Sequence, residues 1–138
     1  MAQCVGVVVG AALLRGDRVL AAQRSYPPEL AGCWEFPGGK VGAGEDERAA
    51  LARECQEELG VEIAVGARLG EDTATSGGRS VLRVYAARLV AGDPVAREHA
   101  ALRWLCAGEL DEVAWLDADR PLLPPLRVLL RATEASPR

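Results

Sequence analysis

Gly38-Gly39-Lys40-Val41-Gly42-Ala43-Gly44-Glu45, closed by Arg53-Glu54-Cys55-Gln56-Glu57-Glu58-Leu59-Gly60-Val61, is the stretch on which the reading of this chain turns. Residues 46–59 have helical spacing, and Gly60 is placed to terminate the helix. At about 100° per residue, Leu51, Ala52, Cys55 and Leu59 gather on one face, which is the core side. Glu54, Glu57 and Glu58 gather on the adjoining face, because residues three and four apart are neighbours on a helix. Three carboxylates on one patch repel one another, and an isolated ExxEE is usually no more than a solvated acidic face. What precedes it changes that reading. A glycine-rich loop runs directly into the helix, so backbone can come close to a phosphorylated ligand or a metal. Arg53 lies beside the carboxylates and can hold one by charge-assisted hydrogen bonds. Glu45 sits at the helix start, where the dipole favours a negative side chain. Carboxylates with a backbone carbonyl form an oxygen-only site, suited to Mg²⁺ or Mn²⁺ rather than zinc. Metal held there would neutralise a polyphosphate and activate water for attack at phosphorus.

Outward from this segment, strands are expected at residues 4–14 and 19–24, joined by a turn at Gly16-Asp17. Residues 25–44, rich in Pro and Gly, read as a structured loop. Beyond the helix, strands are expected at 61–69 and 80–90, the second introduced by Gly77-Gly78. Residues 92–97 read as a loop. A short strand at 103–105, a turn or short helix at 107–110, and a last helix from Arg120 or Pro121 through Leu130 complete the order. Pro124 and Pro125 blur the start of that helix, and the tail 134–138 is expected to fray. The pattern is a mixed α/β sandwich.

The chain has 138 residues, 49% of them apolar, which suits one domain with a real core. No apolar run reaches the roughly 18 residues of a membrane span, and no signal peptide is read in the first residues, so a cytoplasmic location is expected. Cys4, Cys33, Cys55 and Cys106 are scattered, without a CxxC pair, and read as packing residues. The net charge is −4, and the segment Glu45 to Glu58 alone carries six acids against Arg48 and Arg53. The rest is nearly neutral. An acidic chain without a basic stripe is a poor binder of long nucleic acid, whereas a local acidic cluster is what a hard cation needs. The expected partner is therefore a small molecule. Monomer and homodimer remain equally open.

The pattern Gly39-x5-Glu45-x7-Arg53-Glu54-x-x-Glu57-Glu58-x-Gly60-Val61 resembles the Nudix box of the Nudix hydrolases. Every defining position matches except Cys55, where the family prefers Ile, Leu or Val, and cysteine packs as a small hydrophobe. The resemblance implies an α/β (α+β) Nudix fold: a mixed sheet between helices, with the box as loop–helix–loop. It implies Glu54, Glu57 and Glu58, assisted by the Gly38 carbonyl, as ligands of Mg²⁺ (or Mn²⁺). Arg53 would orient a ligand carboxylate and Glu45 would support the site. One of these glutamates, or Glu98 on a later loop, would help deprotonate the water. Glu98 could equally be a surface acid, and His99, the single histidine, a structural residue. A non-catalytic Nudix-fold binding module would typically have lost box glutamates, and all are present. Activity is expected to rise on the alkaline side, since ligands and water must shed protons.

The flanks Gln23-Arg24 and Trp34-Glu35-Phe36-Pro37-Gly38-Gly39-Lys40 resemble the MutT-like branch, which converts nucleoside triphosphates to monophosphate and pyrophosphate. In that branch, a residue matching Asp119 in Ala118-Asp119-Arg120-Pro121 reads the base edge. An ionised carboxylate only accepts hydrogen bonds, and cytosine presents an exocyclic amino donor. With Tyr26-Pro27-Pro28-Glu29-Leu30-Ala31-Gly32, this resembles the CTP and 5-methyl-dCTP pyrophosphohydrolases. Guanine also offers N–H donors, so 8-oxo-dGTP is the alternative substrate, and an N-cap on the last helix is the alternative role of Asp119. Arg24 would face a phosphate or the base, Phe36 would offer it an apolar surface, and Gly38, Gly39 and Lys40 would lie along the phosphates. Arg24 could instead form a surface salt bridge and Phe36 pack in the core.

Overall fold

The computed structural model describes residues 6–75 and 78–135. Cys4, the Gly77 half of the expected turn, and residues 136–138 of the expected tail lie outside them. Strands β1 (Gly6–Arg15), β2 (Arg18–Gln23), β3 (Trp34–Glu35) and β4 (Gly38–Lys40) lead to helix α1 (Glu47–Leu59). Strands β5 (Glu62–Ala74), β6 (Ser80–Ala91) and β7 (Ala101–Leu105) and helix α2 (Leu123–Ala135) follow. Short 3₁₀ turns cover Ala107–Glu112 and Arg120–Leu122.

The order β3-β2-β1-β6-β5 forms one mixed sheet, with β4 added to β1 and β7 to β2. β1 and β6 run parallel, from Gly6 opposite Ser80 to Leu14 opposite Arg88. β1 and β2 pair only beside their turn, at Leu14–Val19 and Arg15–Arg18. They then diverge, and the segment read from sequence as loop supplies the missing pairings. β3 pairs with β2 at Ala22–Glu35, and β4 with β1 at Val9–Gly39. Strands this short, rich in Gly and Pro, carry no alternation to betray them. β5 also outruns its expected end at residue 69, because bulged register shifts let it keep pairing with β6 as far as Ala74.

Alternation along β1 divides the core. Val9, Ala11 and Leu13 face α1, packing with Ala50, Leu51, Cys55 and Leu59. Ala12, with Val19, Leu82 and Val84, packs on the other side with Leu122, Leu126 and Leu130 of the C-terminal helix region. The sheet thus lies between the two helices. Asp46 caps α1 by accepting from the Ala49 N–H at 3.1 Å, and Gly60, at φ 71°, ends it in the left-handed region. Among the described residues no helix is long and apolar enough to cross a membrane.

Candidate active site

Two backbone features bring distant segments together. The Trp34 N–H donates to the Ala114 carbonyl and the Leu116 N–H to the Trp34 carbonyl, both at 2.8 Å. This ties β3 to the segment that precedes α2 and sets Trp115 beside Phe36, ring centroids 5.0 Å apart. Asp119 follows, 3% exposed, its Oδ2 accepting from the Phe36 N–H at 2.9 Å. The cap role is thereby overturned: Asp119 precedes the 3₁₀ turn but makes no side-chain cap bond there. The Phe36 amide, lacking a strand partner at this break between β3 and β4, draws the carboxylate inward instead. Burial pushes the Asp119 carboxyl up to about 7, with Glu35 adding to the rise and the Phe36 N–H and Arg24 opposing it.

A cleft of about 840 Å³ runs along this junction. It gathers seven of the predicted residues: Arg24, Phe36, Gly38, Gly39, Lys40, Glu58 and Asp119. Phe36 borders the cleft, yet it is itself 4% exposed and packs in the core, the alternative role expected for it. Sequence reasoning missed Trp115, Cys33 and the part played by Glu35 in the same wall. Glu35 stood inside the Trp34-Glu35-Phe36 flank, but nothing local marks Trp115.

The remaining box residues form a cluster against the Gly38–Lys40 strand. Arg53 grips Glu45 with two nitrogens, Nε to Oε2 at 2.8 Å and Nη2 to Oε1 at 3.0 Å. Its Nη1 donates to Glu54 at 2.8 Å and Glu57 at 3.1 Å. These bonds hold the Glu45 carboxyl down at about 2, with the Gly42 N–H assisting, and raise the guanidinium further. The Glu54 carboxylate lies so close to Gly39 that a Cβ there would collide with it. Glu58 Oε1 accepts from the Gly38 N–H at 3.3 Å. Burial, then the charges of Glu54 and Glu35, push the Glu58 carboxyl up to about 8, with Glu98 contributing. Glu98 is exposed. It borders a recess of about 50 Å³ with Glu58, Arg24, Glu35 and His99, and its carbonyl accepts from Ser25 Oγ at 2.8 Å.

Does this set fit a divalent metal? Among the described residues no three acidic, His or Cys side chains already converge as a cage, and Arg53 occupies Glu54 and Glu57. The donor chemistry nevertheless fits. The oxygens are carboxylate, glycine admits Glu54 to the loop, and Glu58 carries an uncompensated repulsion that a cation would offset.

The family profile described as "NUDIX domain" matches residues 5–128. The chain is 53% identical over 132 residues to "Putative 8-oxo-dGTP diphosphatase 2" of Mycobacterium tuberculosis, covering 94% of this chain and 93% of that one. It is 38% identical over 129 residues to "CTP pyrophosphohydrolase" of Escherichia coli, covering 93% and 96%. The crystal structure of a MutT NUDIX hydrolase from Burkholderia pseudomallei superposes with a TM-score of 0.73 at 32% identity, covering 89% of this chain and 98% of that one. With its mixed sheet between two helices and its glycine loop set against the glutamate helix, the chain belongs to the Nudix family, as an α+β hydrolase of the MutT-like branch.

Proposed function

We propose that the chain hydrolyses nucleoside triphosphates to the monophosphate and pyrophosphate, with cytidine nucleotides (CTP, dCTP and 5-methyl-dCTP) favoured. The observation that carries this reading is a single cleft wall holding both the buried carboxylate of Asp119 and the Gly38–Lys40 strand with Glu58. One oxygen of Asp119 is engaged by the Phe36 N–H. The other is left to accept from an exocyclic amino group, the donor that cytosine offers. Phe36 and Arg24 would flank the base, and Lys40 would lie along the phosphates.

Nudix hydrolases use divalent metals such as Mg²⁺. Here Glu54, Glu57 and Glu58, with the Gly38 carbonyl, would hold it, and when bound it supplies charge neutralisation and an acidified water. Arg53, anchored on Glu45, keeps Glu54 and Glu57 in orientation. Glu58 or Glu98 would take the proton as water attacks phosphorus and the anhydride oxygen leaves with the pyrophosphate.

The second reading is 8-oxo-dGTP hydrolysis, favoured by the name of the 53% identical relative. A guanine edge also presents amino and ring N–H donors to an accepting carboxylate. The test is kcat/KM with Mg²⁺ for dCTP, 5-methyl-dCTP, CTP and 8-oxo-dGTP, scoring monophosphate and pyrophosphate. A cytidine preference of about tenfold, roughly 1.4 kcal/mol, is expected. A preference for 8-oxo-dGTP establishes the second reading, and turnover of none of them refutes both.

A further inference from the structure

Glu35 is the meeting point of two side chains that the catalytic box does not contain. Its Oε1 accepts from Arg24 Nη1 at 3.0 Å, and its Oε2 faces His99 Nε2 at 2.9 Å. Side-chain exposure falls along this chain, from 26% at Arg24 through 17% at Glu35 to 7% at His99. The contacts therefore run from the cleft wall inward. A carboxylate oxygen accepts, so Nε2 carries a hydrogen, which in the neutral ring leaves Nδ1 as an acceptor. Among the described residues His99 Nδ1 is the one buried side-chain polar atom without a hydrogen-bond partner. The adjoining recess of about 50 Å³ has the size of a water site, not of a ligand. Among the described residues the one protein hydrogen bond of the ring is the one to Glu35.

We propose that His99 is a positioning residue for nucleotide binding, fixing the Arg24 guanidinium in the cleft wall through Glu35. This rests on the reading of that cleft as a nucleotide site. Glu35 is fixed in its backbone by β3, opposite Ala22, so what His99 restrains is the carboxylate. Without His99, Arg24 alone holds that carboxylate among the described residues, and Arg24 keeps its own supports at Tyr26, with Nε on the carbonyl at 3.1 Å and the guanidinium 5.7 Å from the ring centroid. The loop itself does not depend on the imidazole. The Ala100 N–H on the Gln23 carbonyl and Ser25 Oγ on the Glu98 carbonyl, both 2.8 Å, pin it on either side of His99.

The experiment compares H99A, H99Q, R24A and the double variant R24A/H99A by steady-state kinetics on whichever triphosphate the wild type turns over. H99A is expected to raise KM about tenfold with kcat within about twofold, the loss of one charge-assisted support. H99Q, whose amide retains an N–H for Glu35, should recover most of that loss. The double variant should be no worse than R24A. An unchanged KM in H99A, a fall in kcat matching the rise in KM, or additive effects would each overturn the proposal. A second readout is independent of activity. Because His99 is the only histidine, a long-range ¹⁵N spectrum at alkaline pH displays one imidazole, expected as the Nε2–H tautomer in wild type and disturbed in E35Q. An Nδ1–H or averaging ring overturns the arrangement. The expected tautomer in a protein that turns over no nucleoside triphosphate instead brings down the nucleotide reading, and the positioning role with it.

Discussion

Gly39→Ala is expected to remove most of the activity while leaving the fold intact. Gly39 lies in β4 opposite Val9, in backbone that alanine adopts freely, and in a strand alanine is favoured over glycine by about 0.5–1 kcal/mol. The obstacle is on the other side. A Cβ on Gly39 would collide with the Glu54 carboxylate and stand 3.0 Å from its Cγ. To regain van der Waals distance, that carboxylate must retreat by about 1 Å. Arg53 Nη1, which holds it at 2.8 Å, must move or release it. A misplacement of that size at a reacting centre costs on the order of 10²-fold, about 2.7 kcal/mol of transition-state stabilisation. The assay is kcat/KM at saturating Mg²⁺ alongside the thermal midpoint, with Gly38→Ala as the contrast. At Gly38 a Cβ would strike the Val9 carbonyl and lie 2.9 Å from Gly10 Cα, so that variant should lose stability as well. A Gly39→Ala protein that keeps kcat/KM within threefold of wild type would refute the reasoning, since Glu54 could then work from a displaced position. One that unfolds would refute it differently, by showing that the loop tolerates no side chain at all.

Three further predictions follow from the same geometry. Glu57→Gln should cut turnover roughly 10²-fold by removing a proposed metal ligand, yet shift stability by no more than about 0.5 kcal/mol, because the Glu57 side chain is 55% exposed and its ion pair is at the surface; wild-type turnover would remove Glu57 from the ligand set. Asp119 has a carboxyl raised from 3.8 to about 7, so the folded state binds the proton more tightly, and stability falls as pH rises through that interval. Asp119→Asn should therefore gain stability relative to wild type between about pH 4 and 7, by up to roughly 4 kcal/mol; a gap in denaturation midpoint that stays constant with pH would contradict this. Finally, with the Glu58 carboxyl near 8 in the metal-free protein, Mg²⁺ binding near neutral pH should release protons. Calorimetry in buffers of different ionisation enthalpy would detect this, and a buffer-independent heat would count against Glu58 as a ligand.

Most of the architecture could be read from one dimension because its signals are local. The spacing of Leu51, Cys55 and Leu59, the left-handed Gly60 and the carboxylates three and four apart are all properties of one helix, and the structure repeats them. The loop read across residues 25–44 concealed two strands, because β3 and β4 are defined by partners in β2 and β1 rather than by any pattern of their own. Asp119 was singled out from its local motif, but its bond to the Phe36 amide was not legible there. That bond spans most of the chain and exists only because β3 is bridged to the Ala114–Leu116 segment. The same applies to Glu35 and His99: each looked ordinary in its own neighbourhood, and they meet only where β3 lies against the loop before β7.

This geometry ties Asp119, the proposed base reader, to the proposed phosphate end of the cleft through a very short path. Asp119 holds the Phe36 amide, and two residues later the Gly38 amide holds Glu58. Between them the Pro37 carbonyl accepts from the Ala11 N–H at 2.8 Å, and Gly38 pairs with Gly10, so the three-residue link is bolted to the buried strand β1. That anchor is firm, since β1 pairs with β6 from Gly6 to Leu14 and is buried from Val9 to Leu13, with residues on both faces in the core. Both carboxyls are also pushed upward by burial and by the same neighbour, Glu35. Glu35 in turn is shared between Arg24 and His99. Glu35 is therefore the side chain whose charge acts on both ends of the cleft, raising Glu58 at the glutamate helix and Asp119 beside Phe36.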